Sequence, residues 1–162
     1  MLAGGVVLQN RYRIETVLGR GGMGAVYLAI DGSLGNKRVA IKEMSVLIDD
    51  AQARQKAIEQ FQVEARMLAE LDHPGLVRVS HYFEEQGMQY LVMMYIDGST
   101  LEAKVNERSD FWPLGMVLDW TEQLADVLDY LHNHQPPIIF RDLKPPNVMI
   151  DARNHVILID FG

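Results

Sequence analysis

The first third of the chain alternates apolar and polar side chains with the two-residue period of β-strands. Glycine, asparagine and aspartate cluster between these runs, at 19–24 and 31–36, and indicate turns. A second pair of apolar runs follows residue 75 and is interrupted by a polar turn near residue 86. The pattern therefore predicts five strands, at 12–17, 25–30, 38–43, 76–83 and 89–96.

Between the third and fourth strands the apolar spacing changes to three and four residues, which predicts a helix over about 50–71. Asp49 or Asp50 is the candidate N-cap of this helix. A longer apolar stripe predicts a second helix over about 114–134, just before two consecutive prolines. Shorter elements are predicted at 100–107 (a helix) and at 147–150 and 156–159 (the two strands of a hairpin).

Composition excludes several classes of function. A net charge of -7 argues against binding nucleic acid through its phosphates, which requires clustered lysine and arginine. The chain has no cysteine, which excludes disulfide scaffolds, thiolate zinc sites and cysteine nucleophiles. Its longest apolar runs are far too short to cross a bilayer. We therefore expect a cytoplasmic chain without a nucleic-acid or membrane partner.

Glycines 19, 21 and 24 form a Gly-x-Gly-x-x-Gly string that has two interpretations. A dinucleotide-binding fold uses the same string, but it needs a helix to start at the glycines. Here a strand-like run follows them, from Ala25 to Ile30. Glycines between two antiparallel strands let backbone N–H groups approach phosphate oxygens closely. An ordinary hairpin with a loose turn is the alternative, and we favour a phosphate-binding hairpin because of the motifs that follow.

Lys42 ends the third predicted strand, where alternation places it on the same face as Ala40. A small alanine leaves room for a flat adenine, and the lysine ammonium can reach phosphate oxygens. An acidic partner is expected on the neighbouring helix. Glu64 is the best candidate for that partner, with Glu59 and Glu70 as rivals.

The most specific string runs from Phe140 to Asn147 and reads Phe-Arg-Asp-Leu-Lys-Pro-Pro-Asn. Asp142 can accept the proton of a substrate hydroxyl, and Lys144 can neutralise charge on a transferred phosphoryl group. Asn147 can offer its carbonyl oxygen to magnesium, and Asp160 can supply a carboxylate. A polar loop with scattered charges is the alternative.

Four motifs in this order resemble the Hanks-type protein kinase family, most closely its bacterial serine/threonine branch. They are Gly19-x-Gly21-x-x-Gly24-x-Val26, Val39-Ala40-Ile41-Lys42, Arg141-Asp142-x-x-x-x-Asn147 and Asp160-Phe161-Gly162. The resemblance implies an α+β protein-kinase-like fold with a five-stranded antiparallel small lobe carrying one helix, over 1–96. It also implies a partial, mostly helical large lobe over 97–162.

The resemblance implies transfer of the γ-phosphoryl group of ATP to serine and threonine hydroxyls, with Mg²⁺ as the second cofactor. Catalytic roles are implied for Lys42, Glu64, Asp142 and Lys144, and metal binding for Asn147 and Asp160. Met93 takes the gatekeeper position. Nucleotide contacts are implied for Leu18, Gly19, Gly21, Gly22, Gly24, Val26, Ala40, Lys42, Met94, Ile96 and Met149.

Two departures from the family pattern affect what we expect. Phe140 stands where the family usually has histidine, a change that keeps an apolar contact and that we expect to be tolerated. The family pattern also continues past Asp160-Phe161-Gly162 with the parts that hold the protein substrate. The alternative expectation is therefore an ATP-binding module with little or no activity that self-associates through an exposed face of its large lobe.

Overall fold

A computed structural model describes residues 1–21, 24–44, 50–107 and 110–160, and gives only the backbone for Leu34, Ala51 and Glu64. The elements in chain order are β1 (Val7–Leu8), β2 (Tyr12–Gly21), β3 (Gly24–Asp31), β4 (Lys37–Met44), α1 (Ala51–Glu70), β5 (Val79–Glu85), β6 (Met88–Met94), β7 (Gly98–Thr100), α2 (Leu101–Asn106), α3 (Leu114–His132), β8 (Val148–Asp151) and β9 (Val156–Leu158). The expected α+β architecture is confirmed.

The first sheet has the order β1-β2-β3-β4-β6-β5, and every neighbouring pair is antiparallel. It contains the five predicted strands and adds the two-residue β1 at one edge. Alternation along β3 buries Ala25, Tyr27 and Ala29 on one face. Tyr12 and Phe83 stack in the same core with ring centroids 5.8 Å apart. These contacts fix the register of the strands that carry the glycines and Lys42.

Two strand boundaries differ from the sequence expectation for identifiable reasons. Strand β2 continues to Gly21 because its glycines pair across the hairpin, Gly19 with Val26 and Gly21 with Gly24. Strand β5 begins at Val79 rather than at residue 76, because Leu76 pairs with Leu158 of β9 instead. In both places a tertiary pairing determines the boundary.

A partly buried ion pair supports the β2–β3 hairpin at the end away from the glycines. Arg11 donates from Nε and Nη2 to the two carboxylate oxygens of Asp31, at 2.9 and 2.7 Å. The backbone N–H and the hydroxyl of Ser33 also donate to Asp31, which is 4% exposed. The Arg11 guanidinium and these hydrogen bonds hold the pKa of Asp31 well below its usual range.

Helix α1 begins at the predicted cap. The Asp50 carboxylate accepts from the backbone N–H groups of Gln52 and Ala53, at 2.7 and 3.3 Å. Asp49, the other candidate, lies outside the described residues. The buried positions of the helix, Phe61, Ala65 and Leu68, follow the three- and four-residue spacing that the sequence predicted.

The described chain divides into two compact units, one formed by 1–70 and 78–95 and the other by 71–77 and 96–162. The sequence placed a single boundary between residues 96 and 97, with 71–77 in the first unit. The segment 71–77 belongs to the second unit because it packs there: Gly75 accepts from the Leu158 N–H at 2.9 Å, and the Val77 N–H donates to Leu158 at 3.0 Å.

The second unit combines the three-stranded sheet β7-β8-β9 with α2 and α3. Strand β7 lies so close to β8 that a Cβ added at Gly98 would come within 2.2 Å of the Ile150 carbonyl oxygen. Helix α3 buries Trp120, Val127 and Leu131. Within the described residues, no helix is both long enough and apolar enough to cross a membrane.

Replacing Asp31 with asparagine removes the carboxylate to which Arg11 donates. We expect this to lower the free energy of unfolding by about 1–2 kcal/mol at pH 7, and not by more, because Arg11 is only partly buried and water screens part of the attraction. The folded-state pKa of Asp31 is depressed. Its stabilising effect is therefore present above the unfolded pKa near 3.8 and is lost as the pH falls toward the folded value. Urea unfolding at pH 7 and at pH 3 should show the deficit of the variant shrinking at the lower pH. An equal deficit at both values would contradict the ion-pair account.

Gly98→Ala is expected to destabilise the chain by about 2 kcal/mol or more, because a backbone shift must accommodate the new Cβ. Gly115→Ala is the matched control, since a Cβ there meets nothing within 4 Å and the site is helical. The control should stabilise by about 0.5 kcal/mol. Scanning calorimetry of both variants checks the pair, and a tolerated Gly98→Ala would contradict the close approach.

Candidate active site

The glycine string lies on the paired ends of β2 and β3. Gly21 pairs with Gly24, which has a φ of 136° that favours glycine, while Gly22 lies outside the described residues. At Gly19 and Gly21 an added Cβ would meet nothing within 4 Å. The packing of the described chain does not require glycine at these two positions, so the open space above them fits the close approach of a ligand to the backbone.

Strand β4 carries Ala40 and Lys42 on one face, as alternation predicted. Lys42 lies opposite Val26 of β3 on one side and Leu91 of β6 on the other, in the middle of the sheet. Its neighbour Glu43 points to the other face, where it is 7% exposed and accepts from the Tyr27 hydroxyl at 2.7 Å. Burial, followed by the charge of Glu43, raises the pKa of Tyr90 to about 12.

For Glu64, the expected partner of Lys42, the structure describes only the backbone. Residue 64 lies inside α1, at the position the sequence predicted, and its side chain is outside the described part of the chain. Pairing of Lys42 with Glu64 therefore stays a prediction.

The residues predicted to hold adenine divide between the two units. In the first unit Met93 is buried and Leu18 is 47% exposed. The Met94 N–H donates to the Arg78 carbonyl at 2.8 Å, so this N–H is already engaged within the first unit. In the second unit Ile96 is 7% exposed, and Met149 lies on β8 opposite Thr100 and Ile157.

The segment from Phe140 to Asn147 brings three predicted site residues together. The Lys144 ammonium lies 2.6 Å from Asp142 Oδ2. Asn147 Nδ2 donates to the Asp142 carboxylate and to its main-chain carbonyl, both at 2.9 Å. Phe140, at the position of the usual histidine, is 6% exposed. The amide nitrogen of Asn147 is thus committed to Asp142, so its oxygen is the atom it can present to a cation.

Hydrogen bonding sets the charge state of this cluster. The Lys144 ammonium, and after it the Asn147 amide, hold the pKa of Asp142 below its usual range. The Asp142 carboxylate in turn raises the pKa of Lys144, and the charges of Asp160 and Glu102 act in the same direction. Lys144 is exposed and Asp142 is partly exposed, and both stay ionised across the physiological range. Asp142 is therefore a carboxylate that can accept a hydrogen bond from a hydroxyl group.

The backbone of Asn147 is also tied to the segment that carries Asp160. The Ile159 N–H donates to the Asn147 carbonyl at 3.1 Å, one residue before Asp160. Phe161 and Gly162 lie outside the described residues. No cluster of three or more histidine, aspartate or glutamate side chains able to hold a metal occurs in the described ranges. An asparagine and an aspartate can still hold magnesium when phosphate oxygens and water complete its shell.

Sequence reasoning missed the side chains that support this cluster. Gln123 of α3 accepts from the Val156 N–H at 2.8 Å and donates to the Asn154 carbonyl at 3.2 Å, which fixes the β8–β9 hairpin. His73 Nδ1 accepts from the Gly75 N–H at 3.0 Å, and its Nε2 lies 3.2 Å from Asp126 of α3. No sequence signal marks the contacts of Gln123 with the hairpin or of His73 with Asp126, because each joins segments that are far apart in the sequence.

Comparison with known proteins gives a consistent result. The profile of the protein kinase domain matches residues 12–162. The probable serine/threonine-protein kinase PknB of Lactococcus lactis is 38% identical over 100% of this chain, which covers 25% of that protein. The serine/threonine-protein kinase PknA of Mycobacterium tuberculosis is 37% identical over 98% of this chain and 36% of its own length.

Solved structures agree with this result. A structure titled "PpkA-294 apo form" superposes with a TM-score of 0.90 at 28% identity, covering 100% of this chain and 62% of that one. A double mutant of the Mycobacterium tuberculosis PknI kinase domain gives a TM-score of 0.82 at 29% identity, covering 99% of this chain and 62% of that one. The chain thus spans 62% of these two solved chains and about a quarter to a third of the curated relatives. From its motifs, its fold and these matches, the chain belongs to the protein kinase domain family, among relatives that are bacterial serine/threonine kinases.

Proposed function

We propose that this chain carries the catalytic core of an ATP-dependent protein serine/threonine kinase. The observation that supports this most directly is the cluster of Asp142, Lys144 and Asn147, in which one carboxylate is held by an ammonium and an amide. The backbone hydrogen bond from Ile159 to Asn147 adds Asp160 to the same neighbourhood. Serine and threonine are the proposed acceptors because the relatives are named for them.

The residues present fit a magnesium nucleotide. Asn147 and Asp160 would hold the cation through an amide oxygen and a carboxylate, the oxygen ligands that magnesium prefers. The backbone at Gly19 and Gly21 has open space above it, as close approach to phosphate oxygens requires. Lys42 would contribute an ammonium from the centre of the sheet. When bound, the nucleotide supplies the phosphoryl group and magnesium neutralises the charge that develops on it.

The side chains of the chain would then share the remaining work. Asp142, kept as a carboxylate by Lys144 and Asn147, would orient the substrate hydroxyl and accept its proton. Lys144 would place positive charge beside the same reaction centre, because its ammonium is fixed on Asp142. Glu64 would orient Lys42. Catalysis of this kind depends mainly on positioning and on fixed charges.

Asp142→Asn is expected to lower phosphoryl transfer from radiolabelled ATP to a generic serine-bearing substrate by about 10²–10⁴-fold, because the general base is removed. Binding of Mg-ATP, measured by thermal shift, should persist in the variant. Asp129→Asn on the exposed surface of α3 is the matched control and should transfer at the parent rate.

The outcomes separate the proposals. Transfer that survives Asp142→Asn would contradict the role of Asp142. Nucleotide binding without transfer in the parent chain would favour the alternative, an ATP-binding module. Absence of any thermal shift at millimolar nucleotide would count against both.

Gly21→Ala is expected to leave the melting temperature nearly unchanged, because an added Cβ meets open space in the protein. It should weaken Mg-ATP binding by about tenfold, the loss expected when one hydrogen bond to a charged group can no longer form. Isothermal titration with Mg-ATP, next to calorimetry of the unliganded chain, checks both halves. A variant with unchanged nucleotide affinity would show that the glycines serve only the hairpin.

A further inference from the structure

The side chain of Gln123 joins helix α3 to the start of strand β9. Its Oε1 atom accepts from the Val156 N–H at 2.8 Å, and its Nε2 atom donates to the Asn154 carbonyl at 3.2 Å. The same Nε2 donates to Asp119 Oδ2, one turn earlier on the helix, at 2.9 Å. These partners assign the orientation of the amide, because two of them are acceptors and one is a donor. The side chain is therefore fixed in one orientation between its helix and the strand.

The Gln123 amide pairs with β9 as a main-chain peptide group would. A primary amide carries the N–H donor and C=O acceptor of a peptide unit, and here they bind residues 154 and 156. Two residues further on, Leu158 exchanges hydrogen bonds with Gly75 and Val77, at 2.9 and 3.0 Å. Alternate residues of a strand direct their backbone groups to the same edge. Gln123 therefore extends, with a side chain, the ladder that 75–77 forms with its main chain.

The turn between β8 and β9 is closed by its own residues. The Asp151 carboxylate accepts from the backbone N–H groups of Arg153 and His155, both at 2.8 Å. The Asp151 N–H donates in turn to the His155 carbonyl at 3.0 Å. Since these local bonds define the turn, the bonds of Gln123 have a different consequence. They fix where the start of β9 lies against α3.

Two attachment points on the outer edge of β9 set the direction of the strand. Pairing with β8 fixes β9 within its sheet, and the bonds on the other edge fix it against the rest of the second unit. Segment 75–77 holds Leu158, and Gln123 holds Val156. One point alone would leave a pivot, whereas two determine a direction. The three strand residues are at most 5% exposed and closely packed, so a change of direction carries through to Asp160.

We propose that Gln123 is a positioning residue for Asp160, the carboxylate assigned to magnesium; the metal in this statement rests on the proposed function. Gln123 acts through the backbone of β9, four residues before Asp160, and not by contact with the cation. Loss of a group that orients a metal ligand typically lowers metal affinity by roughly 10–100-fold. Without the amide, the start of β9 moves more freely against α3, and Asp160 is less often placed to share a cation with Asn147.

Gln123→Met removes the hydrogen bonds and keeps the length of the side chain. Amide hydrogen exchange of the unliganded chain, followed by NMR, tests the variant without nucleotide or activity. The Val156 N–H loses its acceptor and should exchange about tenfold faster than in the parent. The Ile159 N–H, which donates to Asn147 at 3.1 Å, should also exchange several-fold faster. Parent-like exchange at Ile159 would overturn the proposal, because the effect of Gln123 would then end at the turn.

The magnesium requirement is the second measurement. At a fixed ATP concentration, thermal shift gives the Mg²⁺ concentration at which half of the stabilisation by nucleotide is reached. Gln123→Met should raise that concentration about tenfold. The affinity for adenosine, which has no phosphate to share a cation, should stay at the parent value. Equal weakening of adenosine and magnesium binding would overturn the positioning role, since it would indicate a general loss of structure.

Asn133→Ala is the matched control. Asn133 lies at the C-terminal end of the same helix, where its Nδ2 atom donates to the Asp129 carbonyl at 3.0 Å. The substitution should lower the melting temperature slightly, because one helix-end hydrogen bond is lost. Exchange at Ile159 and the magnesium requirement should both stay at the parent values. An equal rise of the magnesium requirement in this control and in Gln123→Met would contradict a role specific to Gln123.

Asp119→Ala decides the matter if Gln123→Met does not fold. It removes only the exposed acceptor that helps to orient the Gln123 amide, so the chain should fold like the parent. Exchange at Val156 and the magnesium requirement should each rise by about twofold to threefold. No change in either would overturn the positioning role. Absence of any nucleotide-dependent shift in the parent would speak against the proposed function, while the exchange rates would still show whether Gln123 holds the segment before Asp160.

Discussion

The candidate active site depends on one asparagine that is bonded from two directions. Through its side chain Asn147 holds Asp142, and through its main-chain carbonyl it accepts from Ile159, the residue before Asp160. The residue is 7% exposed, so losing either bond would leave a polar group unsatisfied in a largely buried place. The carboxylate proposed for proton transfer and the backbone just before the residue proposed for metal binding are therefore both bonded to this one asparagine.

Strand β9 gives this arrangement a rigid base. It pairs with β8 on one side and with the segment 75–77 on the other, where Val77 and Gly75 exchange hydrogen bonds with Leu158. Gln123 of α3 binds the first residue of the strand. Three parts of the second unit thus converge on the three residues of this strand, and Asp160 follows two residues later. Loop residues placed by such a scaffold can keep a catalytic geometry without strong contacts of their own.

Much of this arrangement could be predicted from the sequence. The five long strands and three helices follow from hydrophobic period, and Asp50 caps α1 as its chemistry suggested. The string from Phe140 to Asn147 could be recognised because its residues are close together in the sequence and have a characteristic spacing. Pairings between distant segments were not predictable. The assignment of 71–77 to the second unit, the support from Gln123 and the close approach at Gly98 all depend on contacts that hydrophobic period does not encode.

The aromatic residues are distributed unevenly between the two units. Both tryptophans lie in the second unit, and of the six tyrosines only Tyr130 lies there, since the other five belong to the first. In near-ultraviolet circular dichroism the longest-wavelength band comes from tryptophan alone and reports only on the second unit, while the tyrosine band carries the five tyrosines of the first unit together with Tyr130. Coincident denaturation curves from the two bands would mean that the units melt as one cooperative block. Separated curves would give each unit its own stability without any dissection of the chain.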